Sequence, residues 1–485
     1  MLTLFVGVIF VKKDLGVDIW FMFNNSQYIW ANGFPHIEPF TFHENLEYMV
    51  QQWLTGMIFE VVRENFGYAG LVWLARIMGA VILYGYYRLC LAVSGENRPL
   101  SLVLAGSVGV FVCLIFVCTR PVIFSSALFI AEVLTLETAQ KRPRLLWLLP
   151  VYSVFLINFH AAVWGMFFVF LLPYLVAAWH FPRFDKFVVT GINLPVKNLL
   201  LAAAAGLVAA AVLNPYGIEA LGYGARSYGY TVINDLISEM HPLDVHSSLF
   251  VLPAAFLLFL LPAYGRRPVP LQYPLLTVGT AYMALAALRS EVLFLLFGTL
   301  GAAYVLRDVK FAPTQVLSLE YKWLRLWLTA IFTLVVATLV IHFNDKQERF
   351  PEYYYGEIYK EAGDFLTALP EKENIRLLTD YNCGSYMEYR GIKCYIDTRA
   401  EVFLAANNKQ KDIFHEYAYY HWGYLPHRKL LWRYDFTHVL VTEENLALYL
   451  ALAHDPRLTQ VFEFNCGESA DKPVMGRIYK VERNF

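Results

Sequence analysis

Apolar residues run in long unbroken blocks along most of this chain and break into short groups only toward the C-terminal end. Blocks at 68–93, 100–118, 121–138, 145–159, 161–181, 198–213, 247–264, 271–288, 291–306 and 323–343 read as membrane helices, several of them short. An earlier block, Met1 to Val11, covers about half of the roughly 20 residues a spanning helix needs. It has no basic leader or small-residue cleavage site, so it reads as the remnant of a first membrane helix. The pattern therefore predicts a polytopic α-helical membrane domain over 1–343 with about eleven transmembrane helices.

Between the first two blocks, residues 12–67 form a long loop with two helical patterns. In MVQQWLTGMIFEVVREN, Trp53, Leu54, Met57, Ile58, Val61 and Val62 repeat at helical spacing, which predicts an amphipathic helix lying along the membrane surface. DIWFMFNNSQYIWANG predicts a second helix stopping at Gly33, after which Pro35 and Pro39 hold His36-Ile37-Glu38 extended. Residues 344–485 change character. IRLLTD, KCYIDTR, THVLVTE, VFEF and GRIYKV predict strands, with helices near 357–369, 408–420 and 446–453, giving a small α/β domain.

Composition agrees with the pattern: 58% of residues are hydrophobic and 16% charged, against about 25% in soluble domains. A net charge of −1 without a long Lys/Arg block argues against nucleic-acid binding. Six cysteines show neither CxxC pairing nor zinc spacing, although a Cys383–Cys394 bridge is open if the tail lies in an oxidising compartment.

Charge also sets orientation. Arg98; Lys141, Arg142 and Arg144; Arg183, Lys186 and Lys197; Arg266 and Arg267; and Arg307, Lys310 and Lys322 all fall in alternate loops, which the positive-inside rule makes cytoplasmic. The first loop, with seven acids against Lys12, Lys13 and Arg63, and the tail then both lie outside. Asp18, Glu38, Arg120, Asn158, His160, Asn214, Glu239, His241, Arg289 and Glu291 reach that same face, where chance would have divided them between the two. An outward-opening polar pocket at the membrane boundary explains this, because polar groups at membrane depth must face protein or water. The alternative for any one of them is simple capping or snorkelling.

Such a pocket suits a lipid-phosphate sugar donor. Arg120 or Arg289 would pair with the phosphate, and Asp18 would take the proton of an acceptor hydroxyl. Glu38 could assist, orient the acceptor, or hold a divalent cation with His36. No recognised metal motif supports that last role, and no other cofactor is implied. Asp397, Thr398 and Arg399 follow a strand and could touch a ligand, with an internal salt bridge as the plainer reading.

DIWFMFNNSQYIWANGFPHIEPFTF, NFHAAVWG, LNPYG, SEM and LRSEVLF, followed by NCGSYMEYRG and YIDTR in the tail, resemble a group of uncharacterised bacterial polytopic membrane proteins. These are similar to the C-type (GT-C) glycosyltransferases. The resemblance implies a GT-C-like fold with its catalytic acid in the first outer loop, carried onto Asp18, with Glu38 as second acid. It adds Trp20, Gln52, Arg120, Asn158, His160, Asn214, Glu239 and Arg289 as substrate-binding positions. It further implies a polyprenyl-phosphate-linked sugar donor, a glycan, lipid or protein acceptor, and a place in the bacterial cytoplasmic (inner) membrane facing the cell envelope. Two positions depart from the pattern, since Met22 stands where a histidine is expected and Gln51-Gln52-Trp53 where His-Glu-Trp is common. Two rival readings remain: a transporter or flippase of a lipid-linked glycan, which would carry ionisable groups through the membrane thickness, and a non-catalytic lipid-binding assembly protein. Arg76 and Glu132 are the main charges set within spans.

Overall fold

A computed structural model describes residues 15–179, 189–244, 246, 248–266, 268–309, 358–469 and 472–482. The predicted helices at 1–11 and 323–343 lie outside the described residues. Five helical segments are long and apolar enough to cross a membrane: Trp53–Val93, Arg98–Ile115, Val122–Ala139, Ala161–Ala178 and Leu288–Val305. Pro143–Phe159, Val196–Val212, Phe250–Tyr264 and Gln272–Ala286 are shorter apolar helices between them. The chain is thus a multi-pass membrane protein.

The Asn97 side chain donates to the carbonyls of Arg307 (2.9 Å) and Val309 (3.1 Å), which joins two of the basic loops at one end. Arg289 starts the helical run that Arg307 follows, so it stands at the opposite end.

In the first loop the helix Ile19–Asn32 stops at Gly33, whose φ of 81° ends the helical turn. The Pro-bracketed stretch is extended: Glu38 N donates to Leu46 O (2.9 Å) and Tyr48 N to His36 O (2.9 Å). The amphipathic helix and the following span are one 41-residue helix with a break at Gly67 (φ 65°). In its first arm Glu60 is 1% exposed yet paired, accepting from Gln27 (2.8 Å) and from Arg63 (2.7 Å).

In the tail, strands numbered along the whole chain as β3 (Arg376–Leu378), β4 (Lys393–Cys394), β5 (His438–Thr442), β6 (Leu458–Ser469) and β7 (Lys472–Val481) form one sheet. The pairs β1 (Val189–Thr190) and β2 (Val269–Pro270) make a separate two-residue ladder. The tail sheet has the order β4-β3-β5-β7-β6, with β3 parallel to β4 and β5, and the long β6–β7 hairpin antiparallel. The chain between β3 and β4 forms a helix, Tyr381–Tyr389, that the sequence pattern does not predict because its residues alternate polar and aromatic without a clean apolar stripe. Gly384 lets this helix sit directly on the chain leaving β4: a Cβ there would collide with the Ile396 carbonyl oxygen and Asp397 Cα. Gly384→Ala is therefore expected to destabilise the tail by about 1–3 kcal/mol, seen as earlier melting and faster proteolysis of the tail. Cys383 and Cys394 are free thiols, not a disulfide; Cys394 Sγ faces the carbonyls of Gly384 (3.7 Å) and Ile392 (3.5 Å) instead.

The tail is docked on the first loop by main-chain and buried side-chain bonds. Glu47 N donates to Asn408 O (3.0 Å), the His43 ring bonds Tyr395 O (2.8 Å), and Gln51 donates to Glu401 (2.9 Å). Arg399 donates to Glu38 (2.8 Å) across the same junction.

Candidate functional site

Asp18 occupies the N-cap position of Ile19–Asn32, but its side chain makes no capping bond. Its carboxylate instead pairs with Arg120 (3.2 Å), and Arg120 in turn grips Glu239. Arg120 lies just ahead of Val122–Ala139, and Glu239 sits in the short turn Ser238–Met240. Three distant parts of the chain thus meet at one guanidinium. The Asp18 side chain keeps 26% of its surface open, so solvent still reaches the pair.

Burial raises the Asp18 carboxyl above its ordinary range; Arg120 pulls it back, Glu239 pushes it up further, and the Thr398 hydroxyl lowers it. Thr398 comes from the tail, where Ser385 holds its hydroxyl (2.7 Å) and Tyr381 donates to its carbonyl (2.6 Å). A second tail residue, Glu401, is raised chiefly by burial, with the Tyr223 hydroxyl and the Arg289 charge lowering it and the Asp18 charge raising it. Arg289 lies over the Tyr228 ring at 4.5 Å and acts electrostatically on His160. The structure so brings Asp18, Arg120, Glu239, His160 and Arg289 into one neighbourhood completed by Thr398 and Glu401.

The other predicted positions lie elsewhere. Asn158 accepts from Trp53 (2.8 Å) and Asn214 (3.1 Å) and donates to Val154 O (2.8 Å), while Asn214 also accepts from Tyr216 N (2.9 Å). Their bonds tie Trp53–Val93, Pro143–Phe159 and the end of Val196–Val212 together. Trp20 is 1% exposed and boxed by Tyr68, Tyr386 and Tyr389 at the tail junction. Gln52 is buried at the start of the long helix, where its carbonyl accepts from Gly56 N (3.1 Å). Of the departing positions, Met22 is 2% exposed and packs beside Gly56, and Gln51 binds Glu401 and Ala162 N (3.1 Å).

Glu38 is fully engaged. It accepts from Phe40 N (3.0 Å), Thr41 N (2.9 Å), the Thr41 hydroxyl (2.6 Å) and Arg399 (2.8 Å). Arg399 also pairs with Asp397 and Glu388 and lies over the Tyr48 ring (5.0 Å), so Asp397 and Arg399 form an internal ion pair while Thr398 between them faces Asp18. Burial, with Asp397 beside it, holds Glu388 well above the usual carboxylate range and favours its protonated form. His36 is exposed, edge-on to Tyr216 at 5.5 Å. No group of three His, Cys, Asp or Glu among the described residues is arranged to hold a metal ion.

The sequence does not single out Glu401, Tyr223 or Tyr381, and it marks Gln51 only as a departing position. Glu401 carried a faint signal, as the acid just past YIDTR, but nothing local links it to Asp18.

No family model matches the chain, and no curated protein does. Among solved structures, the archaeal oligosaccharyltransferase AglB from Archaeoglobus fulgidus, in complex with an inhibitory peptide and a dolichol-phosphate, aligns with a TM-score of 0.57. Identity is 12%, over 99% of this chain and 74% of that one. The arabinofuranosyltransferase AftD from Mycobacteria aligns at a TM-score of 0.48 with 14% identity, over 100% of this chain and 41% of that one, a likeness too loose to argue from. The chain shares its overall fold with that oligosaccharyltransferase.

Proposed function

We propose that the protein is a membrane glycosyltransferase moving a sugar from a polyprenyl-phosphate donor to an extracytoplasmic acceptor, with Asp18 as general base. The observation that carries this is the Asp18–Arg120–Glu239 cluster, a solvent-reached carboxylate held at the end of the helices away from the joined basic loops and covered by the tail. The AglB-like fold supports it, since that protein was captured with a dolichol-phosphate.

Asp18 takes the proton as the acceptor hydroxyl attacks the anomeric carbon, and the bond to phosphate breaks with the phosphate keeping the electron pair. Sequence left Arg120 and Arg289 as alternatives for the leaving phosphate. Arg120 is committed to two carboxylates, whereas Arg289 makes no ion pair among the described residues, which favours Arg289. Glu38 is a positioning residue in this scheme: through Arg399 and the adjoining Thr398 it fixes the tail against Asp18.

The transporter reading is weaker. Arg76 lies over the Trp73 ring (5.1 Å), and the Glu132 carboxylate is buried without a hydrogen-bond partner among the described residues, so the two make no relay.

Reconstituted protein given a radiolabelled polyprenyl-phosphate sugar and envelope extract is expected to transfer label. Because the base must be ionised and its pKa is raised, the rate should climb with pH along an acid limb lying above the ordinary aspartate value of about 3.9. Glu239→Gln removes a neighbouring negative charge and should move that limb to lower pH. An absence of transfer with every lipid-linked sugar, together with flux of one across proteoliposomes, would replace the proposal with the transporter.

A further inference from the structure

A trough of aromatic rings and mixed charges lies where the segment before Glu239 meets the tail. One hollow of about 680 Å³ is lined by Thr231, Val232, Asp235, Tyr419, Trp422 and Tyr424, together with His415. A second, of about 650 Å³, continues from the shared His415 and Tyr419 to Lys411, Asp412, Glu416 and Arg433. Tyr419, Trp422 and Tyr424 meet at ring centroids 6.0–6.4 Å apart with tilted and edge-on planes. Tyr419 is 44% and Tyr424 75% exposed, so broad ring faces stand open to solvent. The turn through Gly423 that presents them is fixed by Leu425 N to Tyr419 O (2.9 Å) and Trp422 N to Ala418 O (2.9 Å). These rings are not needed to close the tail core, which is filled by Phe414, Tyr417 and Tyr420 on the buried side of the same helix, Ile413–His421.

We propose that this trough binds the saccharide chain of the acceptor substrate. Open rings pack against the C–H faces of sugars, and the Asp235 and Asp412 carboxylates and the Thr231 hydroxyl accept or donate to sugar hydroxyls. Both hollows are of ligand size, and their junction suits an extended chain rather than a compact molecule. The second hollow carries charges of both signs, Lys411 and Arg433 beside Asp412 and Glu416, so neutral polyhydroxyl groups suit it better than a ligand of one charge. The wall carrying Asp235, Thr231–Leu236, runs straight into Ser238–Met240, whose Glu239 holds Arg120 beside Asp18. A chain lying in the trough is thereby led toward the reaction recess. The inference rests on the transferase reading and names its acceptor class.

The test uses the full chain in detergent, applied to an array of linear neutral oligosaccharides of increasing length and of peptides. One or more oligosaccharides should be retained, more strongly as length grows. Trp422→Ala and Tyr424→Ala should each weaken retention by about tenfold, with Trp422→Phe restoring most of it. Asp18→Asn should keep the retention, which separates this site from the chemistry at Asp18. Retention of no oligosaccharide, retention of peptides alone, or oligosaccharide retention equal in wild type and a Trp422→Ala/Tyr424→Ala protein that melts like wild type would each overturn the proposal. If transfer by wild type is still abolished in Asp18→Asn while the array stays blank, only the trough fails; if retention depends on Trp422 but Asp18→Asn transfers normally, only the role of Asp18 fails.

Discussion

Replacing Asp18 by Asn is expected to lower sugar transfer by about a thousandfold, within the roughly 10²–10⁴-fold that a positioned acid–base group contributes. The amide has the shape of the carboxylate but cannot take the acceptor's proton. Folding should survive, because the side chain is partly solvated and makes no helix-capping bond, and Arg120 keeps Glu239 as a partner. Radiolabel transfer in proteoliposomes measures the loss, and an unchanged melting temperature shows that chemistry rather than structure was removed. Retention of more than half the wild-type rate would show that Asp18 is not the base.

Arg399→Met should produce the largest loss of stability. The guanidinium is 3% exposed and faces Glu38, Asp397 and Glu388, all fully buried. Without it Glu38 and Asp397 stay desolvated with no counter-charge, a loss of about 3–5 kcal/mol for a broken buried pair. The tail should melt earlier and be cleaved from the first loop more readily. Burial already raises the Glu388 carboxyl and Arg399 is what pulls it back, so losing Arg399 raises it further, and the defect should be worst at high pH and recede as pH falls. An Arg399→Met protein that melts like wild type at pH 8 would sink this account of the junction. Glu38→Gln separates positioning from chemistry at the second predicted acid. Its amide must set a donor against Thr41 N, Phe40 N or Arg399, so stability falls in either role, and a positioning role predicts a lower rate with the acid limb of the pH–rate profile still where Asp18 sets it.

The first-loop helix and its stop at Gly33, the extended Pro-bracketed stretch, and the helix that becomes Trp53–Val93 were legible because each is written in local periodicity and turn chemistry. The same holds for the strands of the tail, whose apolar runs are short and flanked by breakers. The Tyr381–Tyr389 helix was not legible, because its stability comes from lying on the chain after β4 at Gly384. A Cys383–Cys394 bridge was equally beyond a reading of spacing, since it depends on where two side chains point.

For the site, the amino-acid order alone determined that this is a polytopic membrane protein with a charged tail, and that its unusual polar residues fall at helix ends of one sense. That follows because lipid punishes unpaired polar groups so severely that their spacing between apolar blocks encodes depth. Which of those residues share a recess was settled only by tertiary structure: Asp18 meets Arg120 and Glu239, while Glu38 turns to Arg399 and Asn158 to Asn214. Thr398 and Glu401 join from the far end of the chain. Hydrophobic patterning fixes how deep a side chain lies but not which way around the helix bundle it faces, and contacts across hundreds of residues leave no periodic trace for a linear reading to find.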